Sequence, residues 1–208
     1  MTKAVRASKS SAASPDLRQY VAQFRDLSHE LAIFMGTVEK WFSTHPEMIN
    51  GRPPLIHSVK SRLKNVDHLR EKLRRKYTKD GQVGFSPAEL SLRVTDLCGV
   101  RVMHLHQRQF SKIYDLFKAK IDTGDWHLAE TKAFTWDPES KKYFESLGLA
   151  PELRETFYTS VHFIIRPNAN SLLVCEIQIR TLFEEIWGEI DHSLNYPDLP
   201  PKNSAIEN

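Results

Sequence analysis

Two apolar runs near the C-terminal end, Tyr158–Ile165 and Leu172–Ile179, constrain the fold of this 208-residue chain more than any other feature. Both runs are rich in β-branched and aromatic residues, which favour strands. A turn-rich hexapeptide, Arg-Pro-Asn-Ala-Asn-Ser at 166–171, separates them. The pattern predicts two antiparallel strands joined as a hairpin.

The hairpin sorts its side chains onto two different faces. Side chains alternate across a strand, so a turn centred on Ala169 predicts three cross-strand pairs: Phe163 with Cys175, Val161 with Ile177, and His162 with Glu176. The apolar partners then share one face. The opposite face carries an aromatic ring and a set of hydrogen-bonding and acid–base groups, which favours a functional site over a solvated surface: Tyr158, Ser160, His162, Glu176, Gln178 and Arg180.

Helical and strand patterns alternate along the rest of the chain, with no internal repeat. Predicted helices run from Ser14-Pro15-Asp16 to His45-Pro46, over Val66–Tyr77, from Pro87, and over Ser111–Ile121, Pro138–Leu147 and Leu182–Leu194. Further strands are predicted within Leu55–Leu63, Leu97–Leu105 and Trp126–Thr135. Interleaved elements of this kind favour one α+β domain around a mixed sheet, over 15–200, with a flexible basic tail at 1–14 and a C-terminal tail at 201–208.

The net charge is only +3, but the charged residues are distributed unevenly along the chain. Residues 52–79 hold ten Lys/Arg against two Asp/Glu, whereas residues 181–208 hold one Lys against six Asp/Glu. A basic segment of this kind serves either an anionic ligand or a solvated helix face. The two cysteines lie far apart, the longest apolar stretch is too short to span a membrane, and the N-terminus lacks a secretory signal, which together favour a cytoplasmic protein.

Asp96 and Glu176 are the two carboxylates that the sequence offers as ligands of a catalytic metal ion. Two carboxylates on neighbouring strands, with positions left for phosphate oxygens, are a common Mg²⁺ site; the alternative for Asp96 is a cap or turn residue. Arg62, Lys64 and Lys72 could neutralise a polyphosphate, and the Arg62 guanidinium could also stack on a base. A metal ion, cations and an acceptor are what phosphoryl-type transfer requires.

Four segments resemble, in order, the motifs of RelA/SpoT-type alarmone synthetases, a superfamily that includes small alarmone synthetases and toxic relatives. The segments are Ser61-Arg62-Leu63-Lys64 with Lys72, Asp96-Leu97-Cys98-Gly99-Val100-Arg101-Val102, Phe157-Tyr158-Thr159-Ser160-Val161-His162, and Glu176-Ile177-Gln178-Ile179-Arg180-Thr181. One such motif would be weak evidence, but four in the right order are specific.

The resemblance implies a pyrophosphokinase with a nucleotidyltransferase-like mixed β-sheet flanked by helices. Such enzymes transfer the β,γ-pyrophosphate of ATP to the 3′-hydroxyl of GDP or GTP. The residues that match the motifs would divide into three groups: Asp96 and Glu176 as catalytic residues that hold Mg²⁺, with Glu176 also a candidate proton acceptor; Arg62, Lys64 and Lys72 for ATP; and Tyr158, His162 and Gln178 for the acceptor. In this family an arginine soon after the Asp-bearing strand often forms the other side of the adenine site, and Arg108 is the nearest candidate for that role.

The segment before Tyr158 departs from the family pattern. The family's basic, turn-forming sequence is replaced by Ala-Pro-Glu-Leu-Arg-Glu-Thr-Phe at 150–157, so Phe157 stands where a glycine is usual. Other acceptors therefore stay open, namely the 3′ CCA end of tRNA or an adenosine nucleotide, as does an inactive nucleotide-binding regulator. An antitoxin partner and a homo-oligomer stay open too. His104 and His106 do not predict a zinc site, because no further ligand lies nearby in the sequence, while Trp126, Trp136 and Trp187 are interpreted as packing residues.

Overall fold

The computed structural model describes residues 16–77 and 82–195. Its α-helices are α1 (Arg18–Thr44), α2 (Pro46–Ile49), α3 (Val66–Arg75), α4 (Leu90–Arg93, after a 3₁₀ turn at Pro87–Glu89), α5 (Gln109–Asp122), α6 (Pro138–Ser146) and α7 (Leu182–Asn195). Its strands are β1 (Ser58–Leu63), β2 (Cys98–His104), β3 (His127–Thr135), β4 (Pro151–Leu153), β5 (Ser160–Arg166) and β6 (Cys175–Thr181).

The strands in the described ranges form one mixed sheet in the order β1-β2-β6-β5-β3-β4. β2 lies parallel to β6 and β3 parallel to β4, while the other neighbours are antiparallel. The predicted α+β fold with a mixed sheet flanked by helices is confirmed. The short edge strand β4 was not predicted, because three residues are too few to show an alternating pattern.

The hairpin prediction is correct, but its register is not. Phe163 pairs with Ile177, Val161 with Ile179, and His162 with Gln178, so the turn centres on Asn170 rather than Ala169. The turn is set by its own polar groups, because Asn168 accepts hydrogen bonds from the backbone N–H groups of Asn170 and Ser171. Moving the centre by one residue shifts each partner by two, so every side chain keeps its predicted face.

One face of the sheet carries the main hydrophobic core. Helix α1 presents an apolar stripe that includes Phe24, Leu31 and Phe42, all of them buried. Phe117 of α5 lies between Phe42 and the β5 residue Phe163, with ring centroids 6.5 and 4.5 Å away. Because α1 and α5 cover this face, the polar side chains of the central strands lie on the opposite one.

Several features at the edges of the elements differ from the sequence predictions. Helix α3 ends at Arg75, whereas the sequence predicted an end at Tyr77. The helix predicted to start at Pro87 is a 3₁₀ turn followed by the single turn of α4. Trp126 is a core residue as expected, but Trp136 and Trp187 are 45% and 37% exposed. The tails at 1–14 and 201–208 lie outside the described residues, and no described helix is long and apolar enough to cross a membrane.

Candidate active site

The register of three strands builds the floor of a cavity on the polar face. Gly99 of β2 stands between Arg62 of β1 and Glu176 of β6, and Arg101 stands between Lys60 and Gln178 in the next row. Gly99 contributes no side chain, which leaves room between the Arg62 and Glu176 side chains. The cavity is lined by charged and amide groups from these strands and from the residue two before β2: Lys60, Arg62, Arg101, Glu176, Gln178 and Asp96.

Asp96 of the cavity pairs with two lysines of the basic segment 52–79. Lys64, the residue after β1, donates a hydrogen bond to Asp96 Oδ2 at 2.7 Å, and Lys72 Nζ of α3 lies 2.7 Å from Oδ1. Burial works to raise the pKa of the Asp96 carboxyl, but the two ammonium groups outweigh it and hold that pKa below its ordinary value. Asp96 is therefore ionised at neutral pH.

Local sequence explains why α3 brings Lys72 to this position. Asn65 caps the helix, since its side chain accepts a hydrogen bond from the backbone N–H of Asp67 at 2.7 Å. Leu69 and Leu73 are fully buried and fix the rotation of the helix. Lys72 precedes Leu73 and is directed towards Asp96.

The Glu176 carboxylate is held at both oxygens. His162 Nδ1 lies 3.3 Å from Oε1, and Gln178 Nε2 donates a hydrogen bond to Oε2 at 2.8 Å. Burial and the charge of Asp96 act to raise the Glu176 pKa, whereas contacts with His162 and Gln178 lower it and prevail. Glu176 is thus an ionised carboxylate with a fixed orientation at the cavity wall.

Tyr158 extends this chain of contacts beyond His162. Its hydroxyl lies 2.8 Å from His162 Nε2. The Arg180 guanidinium carbon lies 5.7 Å from the centre of the Tyr158 ring, within the range of a cation–π contact. Burial raises the pKa of Tyr158, so its hydroxyl stays protonated at neutral pH.

Three exposed aromatic side chains form a cluster around Phe157, the residue before Tyr158. Phe157 is 55% exposed and contacts both Trp136 and Trp187 edge-on, with centroid separations of 4.9 and 5.6 Å. Phe157 therefore links the end of β3 to helix α7 on the acceptor side proposed from the sequence.

The predicted metal ligands fit a hard divalent cation. Asp96 and Glu176 line the same cavity, and both are ionised. Oxygen ligands of this kind suit Mg²⁺, which commonly takes one or two carboxylates and completes its shell with water and phosphate. The described residues contain no cluster of three or more His, Cys, Asp or Glu suited to a metal, so a tighter all-protein site is not present among them.

The structure brings most of the predicted site residues together and separates one. Arg62, Asp96, Glu176 and Gln178 line the cavity. Lys64, Lys72 and His162 contact these carboxylates, and Tyr158 contacts His162. Arg108 lies elsewhere, directly before α5 and beyond the far end of β2 from Asp96. Arg101 is the second arginine of the cavity, and its position two residues after Gly99 on the same strand was the signal available in the sequence.

Comparisons with known proteins agree with the geometry. The family model described as "Region found in RelA / SpoT proteins" matches residues 61–199. GTP pyrophosphokinase YwaC from Bacillus subtilis (strain 168) is 26% identical over 177 residues, which cover 82% of this chain and 75% of YwaC.

Solved structures show the same fold. The crystal structure of the small alarmone synthetase 1 from Bacillus subtilis matches with a TM-score of 0.52 at 21% identity, covering 86% of this chain and 78% of that one. The small alarmone synthetase 2 from the same organism matches with a TM-score of 0.50 at 20% identity, covering 87% and 80%. Because the family model spans well over half of the sequence, including all four motifs, this chain belongs to the RelA/SpoT family.

Proposed function

We propose that this protein transfers the β,γ-pyrophosphate of ATP to the 3′-hydroxyl of GDP or GTP, with Mg²⁺ as cofactor. The observation that carries the proposal is the pair of ionised carboxylates, Asp96 and Glu176, on one cavity that is also lined by Lys60, Arg62 and Arg101. The relatives support the choice of reaction. YwaC is named a GTP pyrophosphokinase, and small alarmone synthetase 1 has been solved with its product pppGpp and with AMPCPP.

The donor half of the site would lie between β1, α3 and β2. Lys64 and Lys72 are placed to bind ATP phosphates and have Asp96 as their partner in the free protein. Arg62 is exposed at the cavity rim, where its planar guanidinium is suited to stacking on adenine. Arg101 lines the same cavity and takes the place that the sequence suggested for Arg108.

The acceptor half would lie between β5, β6 and Tyr158. The Tyr158 ring offers a stacking surface for a base, and His162 and Gln178 offer hydrogen bonds to ribose or phosphate. Glu176 lies between these groups and the donor side. As an ionised and oriented carboxylate it is suited to accept the proton of the attacking hydroxyl.

The reaction is a displacement at the β-phosphorus of ATP. The acceptor 3′-oxygen forms a bond to Pβ, the bond between Pβ and the bridging oxygen of the α-phosphate breaks, and AMP leaves with that oxygen. The hydroxyl proton passes to Glu176. Bound at Asp96 and Glu176, Mg²⁺ would neutralise charge on the phosphate oxygens. The ammonium groups of Lys64 and Lys72 would stabilise the transferred group electrostatically.

Product analysis tests this proposal directly. The protein is incubated with γ-labelled ATP, Mg²⁺ and GDP or GTP, and the products are separated by chromatography. We expect a labelled guanosine product and AMP in equal amounts, and neither from the variant Glu176→Gln. Release of labelled phosphate without a labelled guanosine nucleotide would refute the proposal, and nucleotide binding without turnover would indicate an inactive regulator.

A second candidate acceptor is the 3′ CCA end of tRNA. The observation that favours it is the exposed Trp136–Phe157–Trp187 cluster beside Tyr158, since aromatic rings stack on unpaired bases. A parallel reaction with deacylated tRNA distinguishes the two acceptors, because the label then migrates with RNA. An adenosine nucleotide in a third reaction tests the remaining acceptor.

A further inference from the structure

We propose that Glu185 of α7 is a positioning residue that orients the Glu176 carboxylate through Arg180 and Gln178. The inference rests on the proposed function, because it assigns Glu185 a role in the same transfer. Glu185 does not line the cavity, and it acts by fixing side chains that do.

Glu185 is a buried carboxylate surrounded by cations from three strands. Only 3% of its side chain is exposed. Its Oε1 accepts hydrogen bonds from Arg101 Nη1 at 3.2 Å and Lys60 Nζ at 3.4 Å, and its Oε2 lies 3.2 Å from Arg180 Nε. Burial acts to raise the Glu185 pKa, but the three cations prevail and lower it, so the carboxylate is ionised.

A continuous path of side chains leads from Glu185 to Glu176. Arg180 Nη2 donates a hydrogen bond to Gln178 Oε1 at 2.7 Å. This contact fixes the amide, so that Gln178 Nε2 faces Glu176 and donates to Oε2 at 2.8 Å. If the amide were reversed, its oxygen would face the carboxylate and the hydrogen bond would be lost.

Helix α7 is built to hold Glu185 over Arg180. The helix follows β6 without a loop, and Glu184 Oε2 accepts hydrogen bonds from the backbone N–H and hydroxyl of Thr181, both at 2.8 Å. Gly188 lies one turn beyond Glu184, and a Cβ atom there would stand 3.3 Å from Arg180 Nη1. The glycine thus permits the close approach of the helix to the guanidinium.

Loss of the Glu185 charge would leave Arg180 without its buried counter-ion. Arg180 also contacts the Tyr158 ring, so its reorientation would disturb both Gln178 and the acceptor side. Of the groups proposed to bind ATP, Lys64 and Lys72 pair with Asp96 rather than with Glu185, and Arg101 keeps Glu189 as a second carboxylate partner at 3.1 Å. We therefore expect kcat to fall while the KM for ATP changes little.

The experiment compares Glu185→Gln with Glu189→Gln in the full chain. Glu189 is a matched control, because it also contacts Arg101, at 3.1 Å, but its side chain is 65% exposed. For Glu185→Gln we expect kcat to fall about 10- to 100-fold, as is usual when the partner of a site residue is removed, with KM for ATP within about twofold of wild type. Glu189→Gln is expected to retain wild-type kcat. An unchanged kcat in Glu185→Gln would overturn the proposal.

A double-mutant cycle separates positioning from general destabilisation. If Glu185 acts through Gln178, then Glu185→Gln lowers kcat little further in a Gln178→Ala background. Effects on kcat that multiply independently would overturn the proposed path. A Gly188→Ala variant places a Cβ atom 3.3 Å from Arg180 Nη1 without removing any charge, so a smaller loss of kcat than in Glu185→Gln is expected from it.

A measurement independent of activity keeps this proposal distinct from the proposed function. The side-chain amide resonances of Gln178, assigned by their loss in Gln178→Ala, are expected to shift in Glu185→Gln and to stay in place in Glu189→Gln. If wild-type protein transfers no pyrophosphate, the proposed function fails while these resonances still report on the path. Resonances that do not move in Glu185→Gln would overturn the path itself.

Discussion

Lowering the pH from 7.5 to 5.0 is expected to destabilise this protein through His104, the last residue of β2. Its side chain is buried, with 1% of the residue exposed. Nδ1 lies 3.0 Å from the backbone carbonyl of His106 and donates to it, because a carbonyl only accepts. Burial lowers the His104 pKa to about 4; the hydrogen bond to the His106 backbone opposes this shift and the His106 side-chain charge adds to it.

The magnitude follows from the difference between the folded and unfolded states. An unfolded chain binds a proton at His104 with an ordinary pKa of 6.5, whereas the folded chain does so only near 4. Protonation therefore favours unfolding, and the contribution to stability is complete above pH 6.5 and falls as the pH drops towards 4. The loss amounts to about 2 kcal/mol at pH 5 and about 3 kcal/mol at pH 4.

Urea denaturation at pH 7.5 and 5.0, followed by tryptophan fluorescence, measures this loss. The variant His104→Asn cannot titrate in this range, so its stability deficit relative to wild type should shrink by about 2 kcal/mol at pH 5. His106→Asn serves as the control, because His106 is exposed and its removal should leave most of the pH dependence intact. Equal pH dependence in wild type and His104→Asn would refute the reasoning.

Three further predictions concern the donor side of the site. Lys72→Met is expected to raise the KM for ATP by about tenfold or more in steady-state assays. The Arg70 side chain pairs with solvent-exposed Asp67, so the control Arg70→Met should leave this KM unchanged. Equal effects of the two substitutions would contradict a phosphate contact at Lys72. Asn65→Ala removes the cap of α3 and is expected to lower the free energy of unfolding by about 1 kcal/mol in urea titrations, so no loss would contradict the capping role. Removal of Mg²⁺ with EDTA is expected to abolish pyrophosphate transfer without changing the melting temperature, because a metal site with two carboxylates is catalytic rather than structural. A large drop in melting temperature would contradict that assignment.

The hairpin shows how far local pattern predicts structure. Alternation has a period of two and depends only on the chain itself, so the polar face of β5 and β6 follows from the sequence. The register depends on how the turn closes, and hydrogen bonds to Asn168 decided it. A shift of two residues conserves faces but changes partners, which is why the site face was predicted correctly and the cross-strand pairs were not.

The motifs predicted which residues belong to the site better than they predicted which side chains lie next to one another. Arg62, Asp96 and Glu176 were selected from the sequence, and the structure places them on one cavity. Arg108 was selected as the nearest arginine after the Asp-bearing strand, but β2 carries the chain away from Asp96 before Arg108 is reached. Arg101 remains on the cavity side, because it lies on the strand itself.

The sequence alone determined the family, the mixed sheet and the polar face on which the carboxylates lie, since motifs and alternation are properties of a continuous stretch of chain. Tertiary structure alone decided which charges meet. Lys64 and Lys72 converge on Asp96 from a strand and a helix, and Glu185 approaches Arg180 from α7. Such contacts depend on how separate elements pack, and packing is set by the whole core rather than by any one segment.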